Sequence, residues 1–229
     1  MARLPRLVVP GETHYLILRA QGGPGGPDGP GICTDASDRV ACLAALKEAA
    51  TAEQVDVHAY ALLPTELQLL ATPAQAAGLG RLVQALGRRY VSAYNRRHQR
   101  RGSLWDGRYR CAVVEAGPLR LAVLRLIDGS GSEPGSTSAG QRSGGPRDGL
   151  VRDLPEVWQL GNTPFEREAR YRELLAQGLA ADEAAALRQA ALGGWPLGTP
   201  AFAAALASRH ARPTAPRPRG RPRRQPAPA

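Results

Sequence analysis

The sequence predicts an α+β fold of the ferredoxin-like, split βαβ type, in which one antiparallel sheet carries helices on one face. Three observations predict it. Four short apolar segments have the length and composition of strands, two amphipathic helical segments separate them, and a tight turn at Pro64-Thr65 joins the second strand to the third. The resulting order is β-α-β-β-α-β-α. Many functions use this fold, so it does not decide the function by itself.

The first predicted elements lie before residue 54. Residues 14–20 (HYLILRA) are apolar and follow a turn signal at Pro10-Gly11, which favours a strand. Residues 21–31 contain mainly Gly and Pro and are predicted to form a loop. The stretch Asp35-Ala36-Ser37-Asp38 offers N-cap oxygens, and apolar residues then recur at helical spacing, which predicts a helix over residues 36–53.

The remaining strands and helices of this domain are predicted from hydrophobic periodicity and from turn residues. Alternating or continuous apolar runs predict strands, and a period near 3.6 predicts helices. The remaining predicted strands are 55–63, 66–72 and 104–114, and the remaining helices are 73–97 and 118–127.

Composition divides the chain into four predicted parts. Residues 1–128 form the sheet domain, and residues 129–149 are a Gly/Ser-rich segment with almost no apolar side chains, which predicts a flexible linker. Residues 150–212 form a helical extension, with helices expected near 164–175, 181–192 and 200–207. Residues 213–229 are rich in Pro and Arg and are predicted to be a disordered basic tail.

The charge predicts an anionic partner. The formal net charge is +10, and Lys47 is the only lysine among 30 basic residues. An arginine excess of this kind fits nucleic acid or an acidic membrane surface, although a GC-rich genome also enriches arginine. No run of eighteen apolar residues occurs, and the three cysteines form no paired motif. We therefore expect no membrane partner and no zinc or disulfide framework, and a cytoplasmic, nucleoid-associated setting. Oligomeric state stays open.

The segment 81–110 is the candidate nucleic-acid site. It contains nine arginines and one acid, Asp106, with tyrosines and one tryptophan between them. Arginines neutralise phosphates and rings stack on unpaired bases, so the pattern predicts binding of single-stranded or hairpin nucleic acid, with an RNA-binding module as an alternative. A solvated helix face is the competing interpretation of the arginines, and core packing is favoured for Tyr90 and Tyr94. The predicted DNA-binding residues here are Arg81, Arg88, Arg89, Arg96, Arg97, Arg100, Arg101, Trp105, Arg108, Tyr109 and Arg110.

The tail offers a second basic motif. Residues 218–222 read P-R-G-R-P, which resembles the core of an AT hook. Such a strip lies in a narrow A/T minor groove with its arginines inward, so Arg219 and Arg221 are predicted DNA contacts. A generic basic tail is an equally common interpretation, and it also adds salt-sensitive affinity for DNA.

Several sequence segments resemble those of one known family. The opening MARLPRLVVPGETHYLILR, the segment HAYALLPTELQLL at 58–70 and the segment LGRRYVSAYNRRHQRRGSLWDGRYR at 86–110 resemble the REP-associated tyrosine transposases, an IS200-like group. The likeness covers residues 1 to about 127. The stretch LGNTPFEREARYRELL, with GGWPLG and the closing RPRGRPRR, also resembles the tail of a longer branch of that family.

The resemblance implies a chemistry that this chain is expected to have lost. The family belongs to the HUH nucleases, which bind hairpin DNA and cut single strands with a histidine-held divalent metal and a nucleophilic tyrosine. Glu66 and Gln68 stand at the positions of the metal-binding histidines, and Leu126 stands at the position of the tyrosine. We therefore expect a degenerate member that binds DNA, has no catalytic residue, and needs Mg²⁺ or Mn²⁺ only if activity is retained. An active transposase with a non-standard site and a product without a present role are the alternatives. His14 and His58 are expected to be structural.

Overall fold

A computed structural model describes residues 5–21, 31–131, 133 and 135–215 and has the predicted α+β, ferredoxin-like architecture. One four-stranded sheet has the order β2-β3-β1-β4, and each neighbouring pair is antiparallel. The strands are β1 (Thr13–Arg19), β2 (Val55–Leu63), β3 (Glu66–Pro73) and β4 (Arg110–Val114).

The helices occupy both faces of this sheet. A long helix over residues 78–97 is continuous but consists of two α-helical parts joined by one π-helical turn, Gly87–Val91. The helices are α1 (Ala36–Ala52), α2 (Gly78–Leu86), α3 (Ser92–Arg97), α4 (Pro118–Asp128), α5 (Ala139–Arg142), α6 (Pro155–Trp158), α7 (Pro164–Gln177), α8 (Ala181–Gly193) and α9 (Pro200–His210).

The first face of the sheet carries the two helices that the sequence predicts there. Leu16, Leu18, Leu67 and Leu69 alternate along β1 and β3 and are buried with apolar residues of α1 and the long helix. The alternation follows from the strand period of two, which sends every second side chain to the same face. This face forms the larger core of the molecule.

The second face is also covered, which the predicted arrangement of helices on one face did not include. Tyr15, Ile17 and Leu70 are buried against residues of α4, α7 and α8, among them Val123 and Leu187. The second face is covered because β1 is buried on both faces: its sequence THYLILR does not alternate between apolar and polar residues. The helical extension supplies the layer that this second apolar face needs.

Two predicted boundaries shift for local reasons. The long helix begins at Gly78 and not at Pro73, because Pro73 is the last residue of β3 and pairs with Val55. The predicted strand 104–114 narrows to β4, and Trp105 forms only an isolated bridge with Ala20.

The segment 129–149 differs most from its prediction, because its described residues are packed and not a flexible linker. Thr137 bridges Ala61 of β2, and the Ser136 carbonyl accepts a hydrogen bond from the Leu62 amide at 2.7 Å. Arg142 is buried. Low apolar content predicts disorder only when polar groups lack partners, and here the open edge of β2 provides them.

The opposite edge of the sheet, strand β4, is also covered by backbone hydrogen bonds from a later segment of the chain. The amide of Leu197 donates to the carbonyl of Val113 at 2.8 Å, and the amide of Glu115 donates to the carbonyl of Leu197 at 2.8 Å. The edge strand β2 is therefore partnered by the segment 129–149 and the edge strand β4 by the extension, which removes the exposed ladders that promote association between chains.

Parts of the prediction fall outside the described residues. Most of the predicted loop 21–31 and of the tail 213–229 lies there, including Arg219 and Arg221. Within the described ranges, no helix combines the length and the apolar character needed to cross a bilayer.

Candidate nucleic-acid interface

Four of the predicted arginines are exposed and have no charged partner among the described residues. Two of them, Arg88 and Arg96, lie on the long helix, while Arg101 and Arg108 lie in the loop between this helix and β4. The helix buries its Leu and Tyr side chains in the first core, so its arginines point away from the sheet. Within the segment 81–110, these four side chains are the ones most available to bind phosphate.

Three other arginines of the same helix are already paired. Arg81 binds Glu53 at 2.6 Å, Arg89 lies 3.3 Å from Glu48, and Arg97 binds both Asp35 and Asp38. The hydrogen bond from Arg97 lowers the pKa of Asp35, so this pair stays charged across the physiological range. Arg97 therefore fastens the end of the long helix to the start of α1, and its charge is largely compensated.

The last two predicted arginines are only half exposed. Arg100 lies over the ring of Tyr94, with its central guanidinium carbon 6.0 Å from the ring centroid. Arg110 is on β4 and faces the same side of the sheet as Ile17, its partner in the register. Both are less accessible to a ligand than the four arginines described above.

The interleaved aromatic residues are packed inward, which corrects the prediction for two of them. Tyr109 is buried beneath Arg6, whose guanidinium lies 3.9 Å from the ring centroid, so this ring offers no face to a base. Trp105 is half-buried against the first core, close to Gly87 of the π-helical turn. Tyr90 and Tyr94 are core residues, as favoured from the sequence, and donate hydrogen bonds to the carbonyls of Ile32 and Gly31.

Glu66 and Gln68 do lie together on the second face of the sheet. The Gln68 amide nitrogen donates to Glu66 at 2.6 Å, and the Tyr15 hydroxyl donates to the Gln68 amide oxygen at 2.6 Å. Arg188 of α8 binds both carboxylate oxygens of Glu66, each at 2.6 Å. The result is a closed hydrogen-bonded cluster beneath the extension.

This cluster does not fit a divalent metal. Both oxygens of Glu66 are held by a guanidinium, and Gln68 contributes a neutral amide whose oxygen already accepts from Tyr15. A metal cation at this place would be repelled by the positive charge of Arg188, which already occupies the carboxylate oxygens of Glu66. Within the described ranges, no group of three or more His, Cys, Asp or Glu side chains is placed to hold a metal ion.

The cluster contains two residues that the sequence analysis did not select, Tyr15 and Arg188. Tyr15 lies in a strand that is largely apolar, and only the alternation of side chains along β1 indicates which face of the sheet it occupies. Burial raises the pKa of the Tyr15 hydroxyl, which keeps it protonated and a poor nucleophile. Arg188 comes from a helix 122 residues away in the chain, and no local pattern indicates its contact with Glu66.

Leu126, at the position of the family's tyrosine, is half-buried and packs against the second core. It lies on α4, whose other apolar residues Val123, Leu124 and Ile127 are fully enclosed. Leucine has no atom that can attack phosphorus. Its surroundings are those of a packing residue.

The two strand histidines have structural partners on both ring nitrogens. In His14, one nitrogen accepts from the Val9 amide at 3.1 Å and the other lies 2.8 Å from the Glu12 carbonyl. Burial lowers the pKa of His14 to about 4. His58 lies between the Arg152 carbonyl and the Thr72 hydroxyl, and burial lowers its pKa too. Both rings are therefore neutral parts of the framework.

Comparison with known proteins yields likeness at the level of structure only. No protein-family model matches the chain, and no curated protein matches its sequence. A solved REP-associated tyrosine transposase bound to a REP hairpin is similar over 56% of this chain and 70% of its own, with 12% identity and a TM-score of 0.44. A putative transposase from Deinococcus radiodurans R1 is similar over 50% of this chain and 88% of its own, with 20% identity and a TM-score of 0.36.

Likenesses of this size carry no argument about function. Membership of the transposase family therefore stays a prediction from the sequence segments quoted above.

Proposed function

We propose that this chain is a DNA-binding protein that grips the backbone of hairpin or single-stranded DNA through the long helix and the loop that follows it. The observation that carries the proposal is the set of four exposed arginines without charged partners in the described structure, Arg88, Arg96, Arg101 and Arg108. They occupy one continuous piece of chain, whereas Arg81, Arg89 and Arg97 are engaged with acids of α1 or its C-terminal end.

The physical basis is release of counterions from the phosphates. Each arginine that contacts a phosphate displaces condensed cations, so affinity falls as salt rises. Guanidinium groups also hold two phosphate oxygens at once, which orients the backbone. Hairpin DNA as the preferred form follows from the resemblance of residues 86–110 to the transposase family.

We further propose that binding is not followed by strand cleavage through the family route. The positions of the metal-binding histidines are Glu66, which Arg188 binds through both carboxylate oxygens, and Gln68, and the position of the nucleophile is Leu126. Without a hydroxyl in line with the phosphate, the covalent step has no atom to form the new bond. Divalent metal is therefore not required for binding.

The test is one incubation scored in two ways. Purified chain is mixed with labelled hairpin and single-stranded oligonucleotides, with Mg²⁺, with Mn²⁺ and with a chelator. We expect a shifted complex in all three conditions, no shortened product, and no adduct that survives denaturing electrophoresis. A metal-dependent tyrosine adduct overturns the proposal of lost cleavage, and peptide mapping then identifies the tyrosine.

The second candidate, an RNA-binding module, is separated by the same assay. Hairpins of identical sequence are offered as DNA and as RNA, in competition. Tighter binding of the RNA by tenfold or more favours the RNA-binding alternative, because the 2′-hydroxyl is the group that distinguishes the two backbones.

A further inference from the structure

Two large aromatic side chains are exposed, and both lie outside the predicted interface. Trp158 is 52% exposed at the end of α6, and Phe165 is 81% exposed in the first turn of α7. They flank the turn that connects these helices. The aromatics that the sequence placed among the arginines are buried or half-buried, so this pair holds the rings most open to solvent in the described structure.

Trp158 borders a cavity of about 280 Å³ at the surface of the extension. Its lining includes Trp158, Pro164 and Arg167 together with Val157 and the buried ring of Tyr171. The guanidinium carbon of Arg167 lies 4.5 Å from the centroid of the Trp158 ring. A flat ring beside a flat cation at the entrance to a cavity is an arrangement on which a nucleobase stacks.

One lining residue has an unused hydrogen-bond donor. The side-chain nitrogen of Gln141 is buried and has no acceptor among the described residues, although its oxygen accepts from the Asp148 amide. A buried donor without a partner is costly, and native proteins usually satisfy it with a ligand or water. A carbonyl oxygen of a base is a fitting acceptor.

Three arginines line the cavity, but Arg142 is buried and held by Asp128 and Asp153, so Arg147 and Arg167 are the cations that a ligand meets there. The acids Asp153 and Glu168 line it too. Asp153 is shared between Arg142 at 2.9 Å and Arg147 at 3.6 Å. Arg147 is well exposed, and its contact with Asp153 is the longer of the two that this carboxylate makes, so its guanidinium is less compensated than that of Arg142 and is accessible to a phosphate next to the stacked base.

We propose that this cavity is a second nucleic-acid site, which takes an unpaired base of single-stranded DNA that stacks on Trp158 while the adjoining phosphate meets Arg147. The inference rests on the proposed function for the class of ligand, but it assigns a different surface and a different specificity. The long helix binds backbone in any form, whereas the Trp158 site requires a base that is free of its partner. Together the two sites select a duplex or hairpin with a single-stranded flank.

The experiment compares two probes, a blunt hairpin and the same hairpin with a flank of ten thymidines, by fluorescence anisotropy. We expect the flank to tighten binding, and Trp158→Ala to remove that gain, on the order of tenfold from one lost stacking contact. Trp158→Phe keeps a stacking face and retains most of the gain. Val40→Ala is the matched control, because Val40 is 69% exposed on α1, away from the cavity.

Each outcome has a fixed meaning. If Trp158→Ala binds both probes as the parent does, the second site is wrong while the proposed function stands. If Arg88→Ala and Arg96→Ala change nothing but Trp158→Ala abolishes the gain from the flank, the helix interface is wrong while the second site stands. If light scattering shows that the parent is a dimer that Trp158→Ala dissolves, the ring serves self-association and the inference fails. If neither probe binds the parent, both proposals fail.

Discussion

Pairing, more than position, decides what each arginine of this chain can do. Arg96 and Arg97 are neighbours in sequence, yet Arg97 is held by Asp35 and Asp38, whereas Arg96 has no charged partner in the described ranges. A guanidinium that is already paired with a carboxylate attracts a phosphate less. Its ion pair must also be broken before it can bind the phosphate. The arginine count of a segment therefore overstates its capacity to bind DNA.

The sequence predicted the arginine segment as a whole, but it gave no means of telling these two classes apart. The acids that pair with Arg81, Arg89 and Arg97 lie on or beside α1, 28 to 62 residues away in the chain for the hydrogen-bonded pairs. The burial of Tyr109 could not be predicted for a related reason, because its ring packs against Arg6, 103 residues away in the chain. Contacts at such separations carry no local signature.

His14 provides a prediction about pH. Burial lowers its pKa in the folded chain to about 4, whereas the unfolded chain binds the proton near its ordinary value of about 6.5. The folded-state pKa is depressed, so the stabilisation is present above about pH 6.5 and is lost as pH falls towards 4. We expect the free energy of unfolding to fall by up to about 3 kcal/mol across this window, measured by urea unfolding at stepped pH.

The control is His14→Gln, which cannot titrate there. Its stability should vary less between pH 6.5 and 4 than that of the parent, with the remainder due to His58, whose pKa burial also lowers. An unchanged slope in His14→Gln would contradict the assignment of this ring as a buried neutral group.

Among the elements, the segment after α4 shows how polar sequence becomes ordered structure. Arg142 is buried and binds Asp128 at 3.0 Å, Asp153 at 2.9 Å and the carbonyl of His58. The hydroxyls of Ser138 and Tyr171 also donate to Asp128. One buried ionic network thus ties the segment to α4, α7 and the edge of β2, although burial still raises the pKa of Asp128.

This network makes a prediction for the segment. Arg142→Ala leaves Asp128 buried without its ionic partner, and such a loss costs about 3–5 kcal/mol. We expect a lower urea midpoint and faster hydrogen exchange at the amides of Leu62 and Ser138, which bond across the edge of β2. The matched control is Arg147→Ala, an exposed arginine of the same segment, with an effect within about 0.5 kcal/mol.

A contrary result is easily recognised. If Arg142→Ala is as stable as the parent and native protein is cut by proteases throughout 135–149, the segment is the flexible linker that its composition predicts.

The long helix was predicted in kind but not in detail. Its hydrophobic period near 3.6 indicated an amphipathic helix. The π-helical turn Gly87–Val91 could not be predicted, because one such turn does not change the hydrophobic period detectably. The turn holds Arg88 and Arg89, both exposed, and Gly87 faces the indole of Trp105. Single π-helical turns inside helices are frequent at functional positions.

At the scale of the molecule, the extension is part of the fold and not an appendage. It covers the second face of the sheet, where Tyr15, Ile17 and Ala112 are buried, and it partners both sheet edges. The succession of strands and helices was predictable because the tight turn Pro64-Thr65 joins β2 to β3 and helical segments separate the other strands. The position of the extension was not, because nothing local in α7 or α8 specifies which face they cover.

A truncation tests this role. A chain of residues 1–128 exposes the half of the second face that α8 covers and leaves both edges open, so we expect aggregation in size-exclusion chromatography with light scattering. The matched control, residues 1–215, removes only the tail and should elute as the full chain does. A monodisperse 1–128 chain with a cooperative unfolding transition would show that the extension is dispensable.

If unpaired arginines on the long helix bind the DNA backbone, the salt dependence of hairpin binding should change when they are removed. Association constants are measured from 50 to 300 mM salt for the parent, for Arg88→Ala/Arg96→Ala, and for Arg81→Ala/Arg97→Ala, which removes the same charge from paired positions. The account predicts that the first double variant binds every hairpin sequence more weakly and that its salt slope falls by about two. The second double variant should change much less. Equal affinity and equal slope for the parent and Arg88→Ala/Arg96→Ala would contradict the account.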